Sequence, residues 1–205
     1  IEMSDVTDAP RVEPADTAPS DADLATLAGL VKAAKKPFMI VGGSRWSPEA
    51  CRQVADFAGR AGIPVAASLR RAHLFPADHP SFAGDLGIGP NPKLTARVKE
   101  ADLLLLVGGR MSEAPSSAYT LIDVPTPKQT LVHVHPGAEE LGRIYQPTLA
   151  IQASPIAFAA RLASLETGGR GNAEEAATAH ADYLAWSDNP RKLPGKFQYG
   201  DVMCW

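Results

Sequence analysis

Two glycine pairs, each followed closely by an arginine, are the features of this sequence best suited to chemistry: Gly42-Gly43-Ser44-Arg45 and Gly108-Gly109-Arg110. A glycine lets the backbone approach a phosphate closely, and a helix start beyond it offers free N–H groups. A guanidinium can grip two phosphate oxygens at once. No G-x-G-x-x-G accompanies them, and paired glycines also build tight strand-to-helix turns, so both readings of Gly42-Gly43 stay open. His133 and His135 lie two apart on an expected strand and therefore share a face. A metal there would need a third ligand and an open position, and no Cys or carboxylate is placed nearby to supply one. A packed or hydrogen-bonded histidine pair is expected instead. His73 and His79 read as solvated or turn-forming, and Asp102, opening a strand, as structural. No Ser-His-Asp order, paired carboxylates on one face or reactive-cysteine setting is present, so no catalytic residue and no metal ligand is assigned.

These residues need elements to hold them. Ser20, with Asp23 three residues on, makes a capping box for a helix bearing Leu24, Leu27, Leu30 and Val31 at helical spacing. Pro37 ends that pattern, and Phe38–Val41 is an apolar run of the kind buried on both faces of a parallel sheet. Ser47-Pro48-Glu49 opens the next helix with a cap, a proline at its first position and an acid at the positive dipole end. That helix turns Cys51, Val54, Ala55 and Ala58 inward and stops at Gly62. A second strand spans Ile63–Ala67. Residues 68–92, rich in Pro, Gly, Asp and His, read as a long loop, and such loops are usually functional. A short helix over Lys93–Ala101 leads into the strongest strand, Asp102–Val107. Strands follow at Thr130–His135 and Leu149–Gln152, and Ser154-Pro155 start a closing helix with Ile156, Ala159, Leu162 and Leu165 inward. An alanine-rich helix then covers 172–187, broken by Asn189-Pro190.

Strands alternating with helices predict right-handed βαβ units. The fold class is therefore α/β, a doubly wound, Rossmann-like parallel sheet of about six strands with helices on both faces and 103–107 at its centre. Ligands of such sheets bind outside the carboxyl ends of the strands. Four segments fall there: the two glycine-arginine turns, the 68–92 loop and His135-Pro136-Gly137.

Composition narrows the classes further. The 205 residues suit one ordinary domain with flanks. Lys and Arg total 20 against 23 Asp and Glu with no basic block, so a nucleic-acid footprint is absent. The longest apolar run, Leu103–Val107, falls far short of the ~20 residues that cross a bilayer. Neither a signal peptide nor a cysteine framework is seen, since Cys51 and Cys204 stand far apart, and a cytoplasmic setting is expected. The start at Ile1 and the apolar end at Val202–Trp205 suggest a fragment. Residues 1–19 read as a linker, 20–168 as the nucleotide-fold domain, and 169–205 as a linker and the start of another domain.

Several phrases, in order, resemble the central domain of acetolactate synthase and its thiamine-diphosphate relatives. Lys36-Pro37-Phe-Met-Ile-Val-Gly42-Gly43 is similar to that domain's first strand and glycine turn. Ile63-Pro64-Val65, Phe75-Pro76-Ala77-Asp78-His79-Pro80 and Gly84-Asp85-Leu86-Gly87 are similar to its long loop. Glu100 to Arg110 resembles its best-marked strand and turn, and Val132-His133-Val134, Glu140-Leu141-Gly142 and Gln146-Pro147 continue the likeness over about 21–166. Gln198–Trp205 resembles the opening of the family's diphosphate-binding domain.

The resemblance implies a parent enzyme, a transferase or lyase, that decarboxylates a 2-oxo acid with thiamine diphosphate and magnesium and makes or breaks a carbon–carbon bond. The activating glutamate belongs to a preceding domain of the family and the magnesium motif to a following one. Gly200-Asp201-Val202 lacks that motif's second glycine. These residues alone are therefore expected neither to bind thiamine diphosphate nor to consume pyruvate. The partners implied are the other two domains and like subunits, in a homodimer or homotetramer. In acetolactate synthase the central domain holds FAD. The likeness carries that role to Ser68, Leu69, Leu86, Gly87, Ile88, Gly108 and Arg110, beside the glycine turn Gly42-Gly43. Two positions depart: His135 and Ser154 stand where ribose-binding aspartates are expected. FAD is thus possible, but a tightly held flavin is not expected. A free-standing FAD- or nucleotide-binding module of the sirtuin or electron-transfer-flavoprotein type is the alternative, and a scaffold with a decayed ligand site is a third.

Overall fold

The computed structural model describes residues 7–13, 15–167, 173–188 and 194–198. Expectations placed on Gly168, Asn189-Pro190, Gly200-Asp201-Val202 and Cys204 lie outside the described residues.

Six parallel strands form the sheet: β1 (Pro37–Val41), β2 (Val65–Ser68), β3 (Phe82–Leu86), β4 (Leu103–Val107), β5 (Thr130–His135) and β6 (Leu149–Gln152). Their order is β3-β2-β1-β4-β5-β6. The chain therefore winds outward from β1 to one edge, then returns to lay β4 against the other side of β1. That reversal opens a crevice between the carboxyl ends of β1 and β4. β4 pairs with β1 and β5 along its whole length and is buried throughout, as its unbroken apolar run requires.

Side chains alternate between two cores. Leu103, Leu105 and Val107 face helices α1 (Asp21–Ala33), α2 (Pro48–Ala61) and α4 (Pro155–Leu162), which contribute Leu27, Phe57 and Phe158. Leu104 and Leu106 face the other layer, built by α3 (Pro92–Glu100), α5 (Ala173–Ser187) and the segment holding Met111, Leu121 and Ile122. The helix starts are those expected. Ser20 and Asp23 complete a capping box, Ser47 caps α2 with Pro48 behind it, and Gly62 closes α2 in the left-handed conformation. Asp102 lies just before β4, where its carboxylate accepts from the N–H groups of Lys35 and Lys36 at 2.7 and 2.9 Å. That bond ties the entry of β1 to the entry of β4, a structural role.

Three expectations need correction. Residues 68–92 are not a loop without structure of its own: they contain a 3₁₀ turn at Ala72–Leu74 and the sixth strand, β3. Gly84 and Asp85 hide that strand, because both residue types are poor strand formers and the register shifts beside Gly84. The second strand starts at Val65, beyond Ile63-Pro64. In α4 the buried position belongs to Phe158, while Ile156 is exposed.

The alanine-rich helix α5 packs tightly onto the sheet edge. Tyr183 sets its ring edge-on to Phe82 of β3 with centroids 4.8 Å apart, and His180 Nδ1 meets the Phe82 carbonyl at 2.9 Å. Asp182 accepts from Arg97 of α3 at 2.7 Å. The edge strand is thereby covered instead of being left open for pairing.

Candidate functional site

The two glycine pairs meet at the reversal point of the sheet. Gly43 and Gly108 have φ of +72° and +75°, in the region that L side chains rarely adopt. A Cβ on Gly43 would sit 1.8 Å from the Gly108 carbonyl oxygen, and one on Gly108 only 2.8 Å from Pro155 Cγ. The turns are therefore pressed against each other, and this contact alone requires glycine. Trp46 Nε1 donates to the Gly42 carbonyl at 2.8 Å and locks the arrangement.

Above these turns lies a cleft of ≈ 390 Å³, within the usual range of small-molecule sites. The β1 turn contributes Gly43 and Ser44, and the β2 exit contributes Ser68, Leu69 and Arg71. The β4 turn brings Gly108 through Ser112, and the β5 exit brings His135, Pro136, Glu139 and Glu140. Of the residues singled out from sequence, Gly43, Ser68, Leu69, Gly108, Arg110 and His135 come together here, with Gly42 directly behind. Leu86, Gly87 and Ile88 line an adjoining groove, with Leu69 forming a shared wall. Arg45 is not available to the cleft, because its guanidinium pairs with Asp16. Asp16 belongs to a segment whose Thr17 carbonyl also accepts from the Ser154 N–H. Ser154 is buried, and its hydroxyl accepts from Ala157 N as the cap of α4.

His133 and His135 each form a hydrogen bond with a neighbouring turn. His133 is buried, and its Nε2–H donates to the Gly109 carbonyl at 2.9 Å, so it holds the β4 turn from below. Burial pushes its pKa down from the ordinary value, partly opposed by that hydrogen bond. His135 Nδ1 accepts from Gly137 N–H at 3.0 Å. Among the described residues no group of three or more His, Cys, Asp or Glu is placed to hold a metal ion.

Two acidic residues of the cleft escaped the sequence reading. Glu139 and Glu140 ride on a 3₁₀ turn, Ala138–Glu140, that folds back over the end of β5. Arg110 and Arg143 donate to Glu140 at 3.3 and 3.1 Å. Burial works to raise the Glu140 carboxyl, but the hydrogen bond and charge of Arg110, then Arg143 and His135, prevail and hold it below the usual glutamate range. The signals were the place of Glu140 in the family phrase Glu140-Leu141-Gly142 and the proximity of both to His135-Pro136-Gly137, a segment already expected at the carboxyl edge. The cleft thus carries two arginines, Arg71 and Arg110, facing two glutamates.

Residues 24–162 match the family described as the central domain of thiamine pyrophosphate enzymes. The chain belongs to this family. Among curated proteins, this central domain is 28% identical over 171 residues to the acetolactate synthase large subunit of Corynebacterium glutamicum, covering 83% of the chain and 26% of that protein. It is 31% identical over 134 residues to the isozyme 1 large subunit of acetolactate synthase from Escherichia coli K12, covering 65% and 23%. A sulfoacetaldehyde acetyltransferase of Alcaligenes xylosoxydans is 28% identical over 142 residues, covering 69% and 24%. The chain spans about a quarter of the length of these relatives. Nothing in these matches supports a free-standing sirtuin-like or electron-transfer-flavoprotein-like module. No described helix is long and apolar enough to cross a membrane.

Proposed function

We propose that these residues are the central domain of a carboligating thiamine-diphosphate enzyme of the acetolactate-synthase kind, cytoplasmic and assembled from like subunits. The family match over residues 24–162 carries this reading. Thiamine diphosphate, where it is bound, supplies a thiazolium that stabilises the carbanion left by decarboxylation of a 2-oxo acid. The donor set described here does not fit magnesium, so that ion and the cofactor are assigned to the other domains. What this domain's own residues offer is the cleft. The hydroxyls of Ser44, Ser68 and Ser112 and the guanidinium of Arg71 suit a diphosphate, the exposed guanidinium of Arg110 adds the N–H groups that Glu140 leaves, and the tight glycine turns bring backbone close to it. We assign the cleft to a nucleotide diphosphate held weakly, with Leu86, Gly87 and Ile88 along the groove that continues it.

The test uses the full-length protein with thiamine diphosphate and magnesium. Decarboxylation of pyruvate, with release of carbon dioxide, is the expected result. Failure to bind thiamine diphosphate by calorimetry and to release carbon dioxide from any of a panel of 2-oxo acids would overturn the assignment.

A further inference from the structure

The charges of the cleft are arranged so that one carboxylate is left over. Glu140 is taken up by Arg110 and Arg143, and its side chain is only 11% exposed. Glu139 is exposed, and no hydrogen bond or ion pair engages it among the described residues. Its carboxylate curls back over the end of β5, since a Cβ placed on Gly137 would lie 2.4 Å from Glu139 Oε1. Across the same cleft Arg71 is half-buried and likewise unpaired among the described residues. A carboxylate only accepts, so it welcomes hydroxyl groups and repels phosphate, whereas a guanidinium only donates and attracts phosphate. A ligand matching both ends carries an anionic part and, a few bonds away, free hydroxyls.

We propose that Glu139 reads the ribose of the bound nucleotide, accepting hydrogen bonds from its free hydroxyls while the diphosphate lies toward Arg71. This rests on the nucleotide reading of the cleft. It assigns to a 3₁₀ turn the acceptor that the strand-end position, His135, does not provide. In doubly wound sheets an acid beyond a strand commonly takes that part, but here it is displaced by four residues along the chain. The site selects for unmodified ribose: a 2′-deoxy ligand loses the bond, and a 2′-phosphate meets the carboxylate.

Calorimetric titration of the full-length protein in EDTA, which disables any magnesium-dependent diphosphate site, tests the assignment with ADP, 2′-deoxy-ADP and inorganic pyrophosphate. Three variants separate the contributions. Glu139→Ala removes the acceptor. Gly137→Ala, at φ −88° and ψ 117° where alanine is allowed, displaces the carboxylate and keeps it in the protein. Arg71→Ala removes the cation opposite. The wild type is expected to prefer ADP over 2′-deoxy-ADP by about tenfold, as a hydrogen bond to a charged group implies. Glu139→Ala and Gly137→Ala erase that preference and leave pyrophosphate unchanged or tighter, whereas Arg71→Ala weakens all three ligands. Equal binding of ADP and 2′-deoxy-ADP by wild type overturns the role of Glu139 and leaves the cleft reading intact. So does a preference that survives Glu139→Ala. Absence of binding by all three ligands, or indifference to Arg71→Ala, defeats the cleft reading itself, and the proposal with it.

Discussion

His133 shows how a residue of ligand type can serve purely to hold a turn. Its Nε2–H satisfies the Gly109 carbonyl inside the sheet, and burial depresses its pKa. The unfolded chain therefore binds a proton on this group at a higher pH than the folded chain does. Its stabilising contribution is fully present above about pH 6.5, the unfolded value, and is lost as the pH falls toward the lower folded value. Denaturant titrations at pH 7.5 and pH 5.5 are expected to show lower stability in acid, with a smaller drop in His133→Gln. At pH 7.5 His133→Ala should cost about 1–3 kcal/mol, because it strands a buried carbonyl. An acid drop of unchanged size in His133→Gln would assign the pH sensitivity to other groups.

Elements are joined by contacts that lie far apart in sequence. Asp102 fastens the amino ends of β1 and β4, at the opposite end of the strands from the cleft. Asp102→Ala is expected to lower stability by about 1 kcal/mol without changing pyrophosphate affinity. A change in that affinity would show that the two ends of the sheet are coupled. The docking of α5 on β3 is of the same kind, a helix that no local signal assigns to this sheet.

For the whole molecule, the site's chemistry bears on flavin. The two positions expected to carry ribose-binding acids are otherwise engaged: His135 closes its own turn with Gly137, and Ser154 caps α4 beneath the Asp16–Thr17 segment. Each lost bond to a charged acceptor costs roughly 1.5–3 kcal/mol, so even partial addition lowers affinity about a hundredfold. Glu139 offers one carboxylate in place of two. The purified full-length protein, incubated with excess FAD and desalted, is expected to show no near-stoichiometric flavin absorbance. A flavin band close to one per chain would defeat that expectation.

Local chemistry was legible in the sequence wherever a residue's neighbours along the chain set its role. Ser20, Ser47 and Ser154 cap the helices they precede, Gly62 closes one, and the run Leu103–Val107 can only be an interior strand because both its faces are apolar. The order of family phrases likewise stood in the sequence itself. The tertiary structure decided what depends on distant partners. β3 is a strand because β2 pairs with it on one side and α5 covers the other, which overrides the weak propensities of Gly84 and Asp85. Gly43 and Gly108 need to be glycine because they touch each other, although they lie in the turns after β1 and β4, which two helices and two strands separate along the chain. Arg45 leaves the cleft because Asp16 reaches it, and Glu139 enters because a 3₁₀ turn folds back over β5. Charge placement of this kind arises from chain reversals that spacing along the sequence does not encode.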